Sequence, residues 1–147
     1  MDAEQIAQAC ADTMYAADNT SVALGIELVD VSVGRTVMAM TVREDMVNSH
    51  DICHGGLIFT LADSAFAFAC NSENHNTVAA GARVEFLAPG RLGDRLTAVA
   101  EQVSQGGRTG IYDVSVSNQL GKTVALFRGN SHRIGGAVVD ATTGETV

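Results

Sequence analysis

The chain has 147 residues, 46% of them hydrophobic and 18% charged, the size and balance of one globular domain that buries its own core without staples. A formal net charge of −8 with no Trp, and no basic run, argues against nucleic acid as a partner. No apolar run approaches the roughly 20 residues of a membrane span, and the first ten residues lack the basic-then-apolar order of a signal peptide, so the three cysteines (Cys10, Cys53 and Cys70) are expected to be reduced thiols of a cytoplasmic protein.

Asp2 to Ala17 reads as a helix, because Ile6, Cys10, Met14 and Ala17 fall on one stripe and Asp2 is placed to cap it. Val22–Val33 and Thr36–Val42 then alternate apolar and polar residues around Gly34-Arg35, which predicts a hairpin. A polar loop from Asn48 to His54 leads into Gly55–Asn71, apolar almost all round. Extended stretches follow at Thr77–Leu87, Leu96–Val103, Gly110–Val116 and Thr123–Arg128. The turn signals between them are Ala88-Pro89-Gly90, Gln105-Gly106-Gly107 and Asn118–Gly121. Residues 1–136 form one domain in this reading, and the Gly/Thr-rich residues 137–147 are expected to be a flexible tail. One helix, two strands, an apolar helix and three or four more strands predict an α+β fold with a mainly antiparallel sheet. A helix apolar on every face is expected to be buried all round, as a curved sheet wrapping it would achieve. Seven of the nine Lys and Arg residues lie beyond residue 80. They are either scattered solvated charges or contacts for a phosphorylated small molecule.

Between Gly55 and Cys70 the one charged residue is Asp63. Burying an unpaired carboxylate is costly, and three readings are open. Asp63 caps a short helix starting at Ser64, with residues 55–62 as a strand; or it is a structural Asp with satisfied hydrogen bonds; or it is functional. If the helix starts near Gly55, then Gly56, Phe59, Asp63, Phe66 and Cys70 share a stripe. Gly55-Gly56-Leu57 would then present free N–H groups at the positive end of the helix dipole, a site for an oxyanion. Asp63 lies eight residues from Gly55, about 12 Å along a helix axis, so one carbonyl cannot touch both in a single chain. A two-fold dimer with antiparallel helices brings Asp63 of one chain to Gly55 of the other. His50, Asp51, Cys53 and His54 are metal-ligand types at close spacing, but no second cluster completes a tetrahedral set, and no metal is expected.

The run N-x-H-x-x-x-H-G-G-x-x-F-x-L-A-D-x-x-F-A-x-A-x-N, Asn48 to Asn71, resembles the signature of the phenylacetic acid degradation thioesterases, acyl-CoA hydrolases of the hotdog fold. Phe86–Ala98, Gly110–Val116 and Lys122–Gly136 resemble that family too, so the likeness runs from about Thr20 to Gly136. It implies a five-stranded antiparallel sheet wrapped around a long central helix, dimers usually paired into homotetramers, and active sites at the dimer interface. By motif position it implies that Asp63 is the catalytic carboxylate, as general base or as nucleophile, that the Gly55 N–H polarises the thioester carbonyl, and that Asn48 and His54 flank the site. Burial disfavours the Asp63 charge and a facing helix N-terminus favours it; the second is expected to prevail in the dimer.

An aromatic acyl group such as phenylacetyl, or a hydroxylated relative, is the implied substrate, lying against Phe59, Phe66, Phe68, Tyr15 or Met14. The CoA phosphates would meet Arg91, Arg95, Arg128 or Arg133, and no cofactor beyond the CoA of the substrate is implied. The sequence departs from the family in one place. Relatives often carry a hydroxyl on the strand after the helix, Val78–Ala82 has none, and Thr77 or Ser64 is left to substitute. Two rivals accompany this reading: an enoyl-thioester hydratase using His54 and Asp63 as an acid–base pair, and an acyl-CoA sensor without turnover.

Overall fold

Asp2 and Gln5 start the first helix by capping each other. The Asp2 carboxylate accepts from the Gln5 N–H at 2.8 Å, and the Gln5 side-chain oxygen accepts from the Asp2 N–H at 2.9 Å, so two of the helix's orphan donors are satisfied. The computed structural model describes residues 1–147, and in it this helix, α1, spans Ala3–Ala17. Its buried stripe is Ala7, Cys10 and Ala11, with Ile6 and Met14 at the margin and Ala17 exposed. Small residues let α1 lie close to the sheet, and the Tyr15 hydroxyl anchors it by donating to the Ile26 carbonyl at 2.7 Å.

The expected strand from Val22 is helical in its first part. Asp18 caps a short helix, α2 (Asn19–Leu24), by accepting from the Ser21 N–H at 2.9 Å and the Ser21 hydroxyl at 2.7 Å. Gly25, in the left-handed region at φ 67°, ends it. Only then do the strands begin: β1 (Glu27–Ser32) and β2 (Arg35–Thr41), joined through Gly34 at φ 72°. After the central helix α3 (Gly55–Cys70) come β3 (Thr77–Phe86), β4 (Arg95–Gly106), β5 (Thr109–Ser117) and β6 (Thr123–Arg133). The sheet is antiparallel in the order β1-β2-β4-β5-β6-β3. This is the hotdog arrangement with six strands rather than the expected five. The tight turn at Gly34 folds β1 back along β2, where its backbone groups pair from Ser32↔Arg35 to Glu27↔Ala39 with a one-residue shift between Leu28 and Asp30.

The helix α3 lies on the concave face of this sheet. Leu61, Ala62, Ala65 and Phe66 are buried against inward-facing residues such as Met38, Ala98, Val114 and Phe127. Along the opposite side Gly56 is exposed and Phe59, Thr60, Asp63, Ser64 and Ala67 are only half-buried. The expected stripe of Gly56, Phe59 and Asp63 therefore continues to Ala67, not to Phe66 and Cys70. Within one chain α3 is covered on one side only, because a six-stranded sheet reaches around one face of a helix.

Packing between α3 and β6 is close at one point. A Cβ on Gly129 would meet the Phe66 ring at 2.7–2.8 Å, so Gly129→Ala forces ring or strand to shift. We expect a loss of about 1–3 kcal/mol, read as a lower urea midpoint with an unchanged slope.

Residues 137–147, expected to be a flexible tail, fold back on the domain. Val139 is buried and bridges to Thr146, and the Asn74 side chain accepts from the Val138 and Val139 N–H groups and donates to the Val139 carbonyl. All three cysteines are free, and no helix is long and apolar enough to cross a membrane.

Candidate active site

Of the three readings of Asp63, the structure selects the long helix. α3 begins at Gly55, and Asp63 sits in its middle, so it caps nothing. The N-terminus of α3 is built almost wholly by His54. Its own N–H donates to the Met46 carbonyl at 2.7 Å, its carbonyl accepts from the Leu57 N–H at 3.0 Å, and its Nδ1 accepts from the Gly56 N–H at 3.4 Å. An accepting Nδ1 puts the hydrogen of the neutral ring on Nε2. With those donors taken, one N–H of the first turn has no acceptor in the chain, that of Gly55.

Asn48 organises the loop before the helix. Its Oδ1 accepts from the N–H groups of His50 at 2.9 Å and Ile52 at 3.4 Å, and its own N–H donates to the Ile52 carbonyl at 2.8 Å. This turn holds Asp51 at φ 63°, a conformation that Asp tolerates better than most residues. With Oδ1 occupied, the Asn48 side-chain NH₂ is the group left to meet a ligand.

Asn48, Gly55, Phe86, Pro89 and Arg91 line one cleft of about 620 Å³ at the helix start. Asp63 is not among its walls. It sits two turns further along α3, half-buried, without a hydrogen bond or ion pair in the chain. Burial pushes its carboxyl above the ordinary aspartate value. One chain therefore holds an unused N–H in an open cleft and an unused carboxylate about 12 Å away on the same helix.

This helix and all of the cleft wall but Asn48 fall within the match to a known family, because residues 50–125 fit the model of the Thioesterase superfamily. The chain belongs to that superfamily. The thioesterase is 51% identical to the acyl-coenzyme A thioesterase PaaI of Escherichia coli over 128 residues, 87% of this chain and 91% of that protein. The solved structure of the E. coli PaaI protein, from the phenylacetic acid degradation operon, superposes with a TM-score of 0.91 at 48% identity, covering 92% of this chain and 99% of that one. A Streptococcus mutans protein solved with bound acetyl-CoA superposes with a TM-score of 0.74 at 28% identity, covering 76% and 90%.

The four cations considered for the thioesterase's CoA phosphates do not sit together. Arg91 lines the Gly55 cleft and makes no ion pair. Arg95 pairs with Glu27 at 3.0 Å and Arg133 with Glu73 at 2.8 Å. Arg128 forks onto Asp113 at 2.6 and 2.8 Å, and borders a hollow of about 510 Å³ on the convex face of the sheet, away from α3.

The aromatic residues considered for the acyl group are largely core. Phe66 lies against Tyr112 and Phe127, Phe59 against Phe127, and Phe68 against Tyr15, with centroids 5.3–6.5 Å apart. The ring that does line the cleft, Phe86, carries no periodic signal in the sequence, since it ends a strand exposed along almost its whole length. Of the hydroxyls left to substitute on the strand, Thr77 is buried and donates to the His75 carbonyl at 2.7 Å. The hydroxyl of Ser64, beside Asp63, has no partner in the chain. Burial lifts the Cys53 thiol to about 11, so it is no thiolate nucleophile near neutral pH. No group of three His, Cys, Asp or Glu side chains is arranged to hold a metal ion.

Proposed function

We propose that the chain hydrolyses arylacetyl-CoA thioesters of the phenylacetyl type to the free acid and CoA, in phenylacetate catabolism, at a site shared by two copies of the chain. The observation that carries this is the unpaired Gly55 N–H in an open cleft together with the unpaired Asp63 out of its reach. The edge strand β3 supplies the means of assembly. It is ten residues long, contains no Pro, and leaves Val78 and the adjoining Leu87 about half exposed. Such an edge invites a further strand. A second copy added antiparallel along β3 sets the uncovered sides of two α3 helices against each other and brings Asp63 of one chain to Gly55 of the other. Pairs of such dimers would form the homotetramer. The cytoplasm suits the assembly, since its three cysteines stay reduced there.

The thioester carbonyl oxygen accepts from the Gly55 N–H, with the Asn48 NH₂ alongside, and the helix dipole favours the charge that develops there. His54 keeps this donor free by filling the rest of the first turn. Asp63 of the second chain either takes a proton from water, whose oxygen adds to the carbonyl carbon, or adds to that carbon itself. Collapse breaks the C–S bond in both routes, and the CoA thiolate leaves and is protonated. The second route leaves a mixed anhydride that water opens, returning the Asp63 carboxylate. Single-turnover hydrolysis in ¹⁸O water tests the second route, because label found in Asp63 rules out the pure general-base route. The facing helix N-terminus would hold Asp63 ionised against its burial, and Ser64 would help to place the water.

Release of CoA thiol from aromatic and aliphatic acyl-CoAs by the purified chain tests the proposal. Arylacetyl-CoA is expected to be hydrolysed best. Hydration of an enoyl-CoA without thiol release would instead favour the hydratase, and binding without any turnover the sensor.

Arg91 is the CoA-phosphate contact in this scheme, the other three candidates being engaged by carboxylates. Arg91→Ala is expected to raise KM for phenylacetyl-CoA about tenfold, the scale of one charge-assisted hydrogen bond. It should leave the N-acetylcysteamine thioester, which has no phosphates, unaffected. An equal change for both substrates would remove Arg91 from this role.

A further inference from the structure

We infer that Phe86 selects the acyl group, by offering its open ring face to the aryl ring of a substrate whose carbonyl is held on Gly55; this rests on the acyl-CoA reading above. The chain has five Phe and two Tyr. Six of these seven rings, Tyr15, Phe59, Phe66, Phe68, Tyr112 and Phe127, pack against one another. Phe86 is the one left out, and it is 52% exposed.

It is not exposed by being remote. Its partner across β6 is the buried Ala125, so its side chain lies on the α3 side of the sheet. Ring atoms Cζ, Cε1 and Cε2 stand 3.0, 3.3 and 3.4 Å from where a Cβ on Gly55 would be. One part of the ring thus rests on the residue that carries the free N–H, and the remainder faces the cleft of about 620 Å³. No other aromatic carbocycle lines that cleft, which is otherwise walled by aliphatic and polar residues such as Ile52, Leu87 and Asn48.

The distances suit an arylacetyl group. Its ring begins two bonds from the carbonyl carbon. A carbonyl on the Gly55 N–H therefore allows that ring to reach the 4.5–7 Å centroid range in which aromatic pairs attract through their quadrupoles. A straight aliphatic chain in the same slot gains contact area without that term. The ring also accounts for the absence of a side chain at residue 55, since even a methyl group there would force the Phe86 ring to give by a few tenths of an ångström.

The test separates selection from hydrolysis by measuring binding in the Asp63→Asn chain, which is expected not to turn over. Titration calorimetry gives Kd for phenylacetyl-CoA, hexanoyl-CoA and CoA alone, with Phe86 intact and with Phe86→Leu, and light scattering follows the assembly. Phe86→Leu is expected to weaken phenylacetyl-CoA about fivefold, the scale of one aromatic pair, and to leave hexanoyl-CoA and CoA unchanged. Phe86→Tyr, which keeps the ring, should restore the preference even if the Leu variant folds poorly. Equal weakening of all three ligands, no weakening, or a loss that follows dissociation of the assembly would each overturn the assignment. Selective binding by a chain whose Asp63 form releases no thiol would leave Phe86 in place and remove the hydrolase reading instead.

Discussion

Asp63→Asn lowers kcat for phenylacetyl-CoA by at least about a thousandfold, the expected result if the carboxylate is the group that activates or replaces water. Asn keeps the shape and removes the charge. Because the Asp63 carboxylate makes no hydrogen bond within the chain, the exchange orphans no partner there. Burial raises the carboxyl's pKa, which means that the folded chain prefers the protonated form. Within one chain, the stability this preference contributes is present at low pH and lost as pH rises through the raised value. In the assembly the facing helix N-terminus offsets that preference, so the Asn chain, which orphans no partner, should melt close to the parent. Thiol release and a thermal melt, run together, check both halves. A kcat within tenfold of the parent would take Asp63 out of the reaction. A collapse of the melt would mean that the residue is structural.

Mixing two inactive chains restores activity if the site is shared. Gly55→Pro removes the free N–H at a helix position where Pro is tolerated, although the ring of Phe86 has to give way. Asp63→Asn removes the carboxylate. In a two-fold dimer each site takes Gly55 from one chain and Asp63 from the other. A dimer of one chain of each kind then has one site with both groups intact and one with neither. Random pairing makes half of the dimers mixed, so co-refolding equal amounts should recover about a quarter of the parent's specific activity. Each variant alone should stay near background. A site contained within one chain predicts no recovery at any mixing ratio, which makes this the sharper test of the assembly.

Much of the site is legible as local sequence. Gly55-Gly56 before an apolar run marks a helix start where a ligand can meet backbone, and one Asp in sixteen otherwise uncharged helical residues stands out by the cost of burying it. What local reading misjudges is whatever distant contacts decide. Val22 and Ala23 fit an alternating pattern as well as a helical one. Asp18 and Gly25, capping and ending a six-residue helix, settle the matter. Phe66 and Ala67 are neighbours on α3, and the closeness of Phe66 to Gly129 decides which of them turns to the core. Residues 137–147 carry the composition of a loose tail, and the Asn74 side chain, far away in sequence, ties them down.

By itself the sequence determined the fold class and marked Gly55 and Asp63 as candidates, because these depend on short-range physics (period, glycine and the cost of a buried charge), while Asn48 and His54 entered through the family resemblance and the long central helix was settled by the structure. Only the tertiary structure decided which arginine is free to meet a phosphate and which aromatic ring is open to a ligand. Arg91 and Phe86 look no different in sequence from Arg128 and Phe66. A cation is left free only where no neighbouring strand supplies a carboxylate, and a ring is left open only where the sheet stops short of covering it. Both conditions are set by strands distant in sequence and adjacent in the sheet.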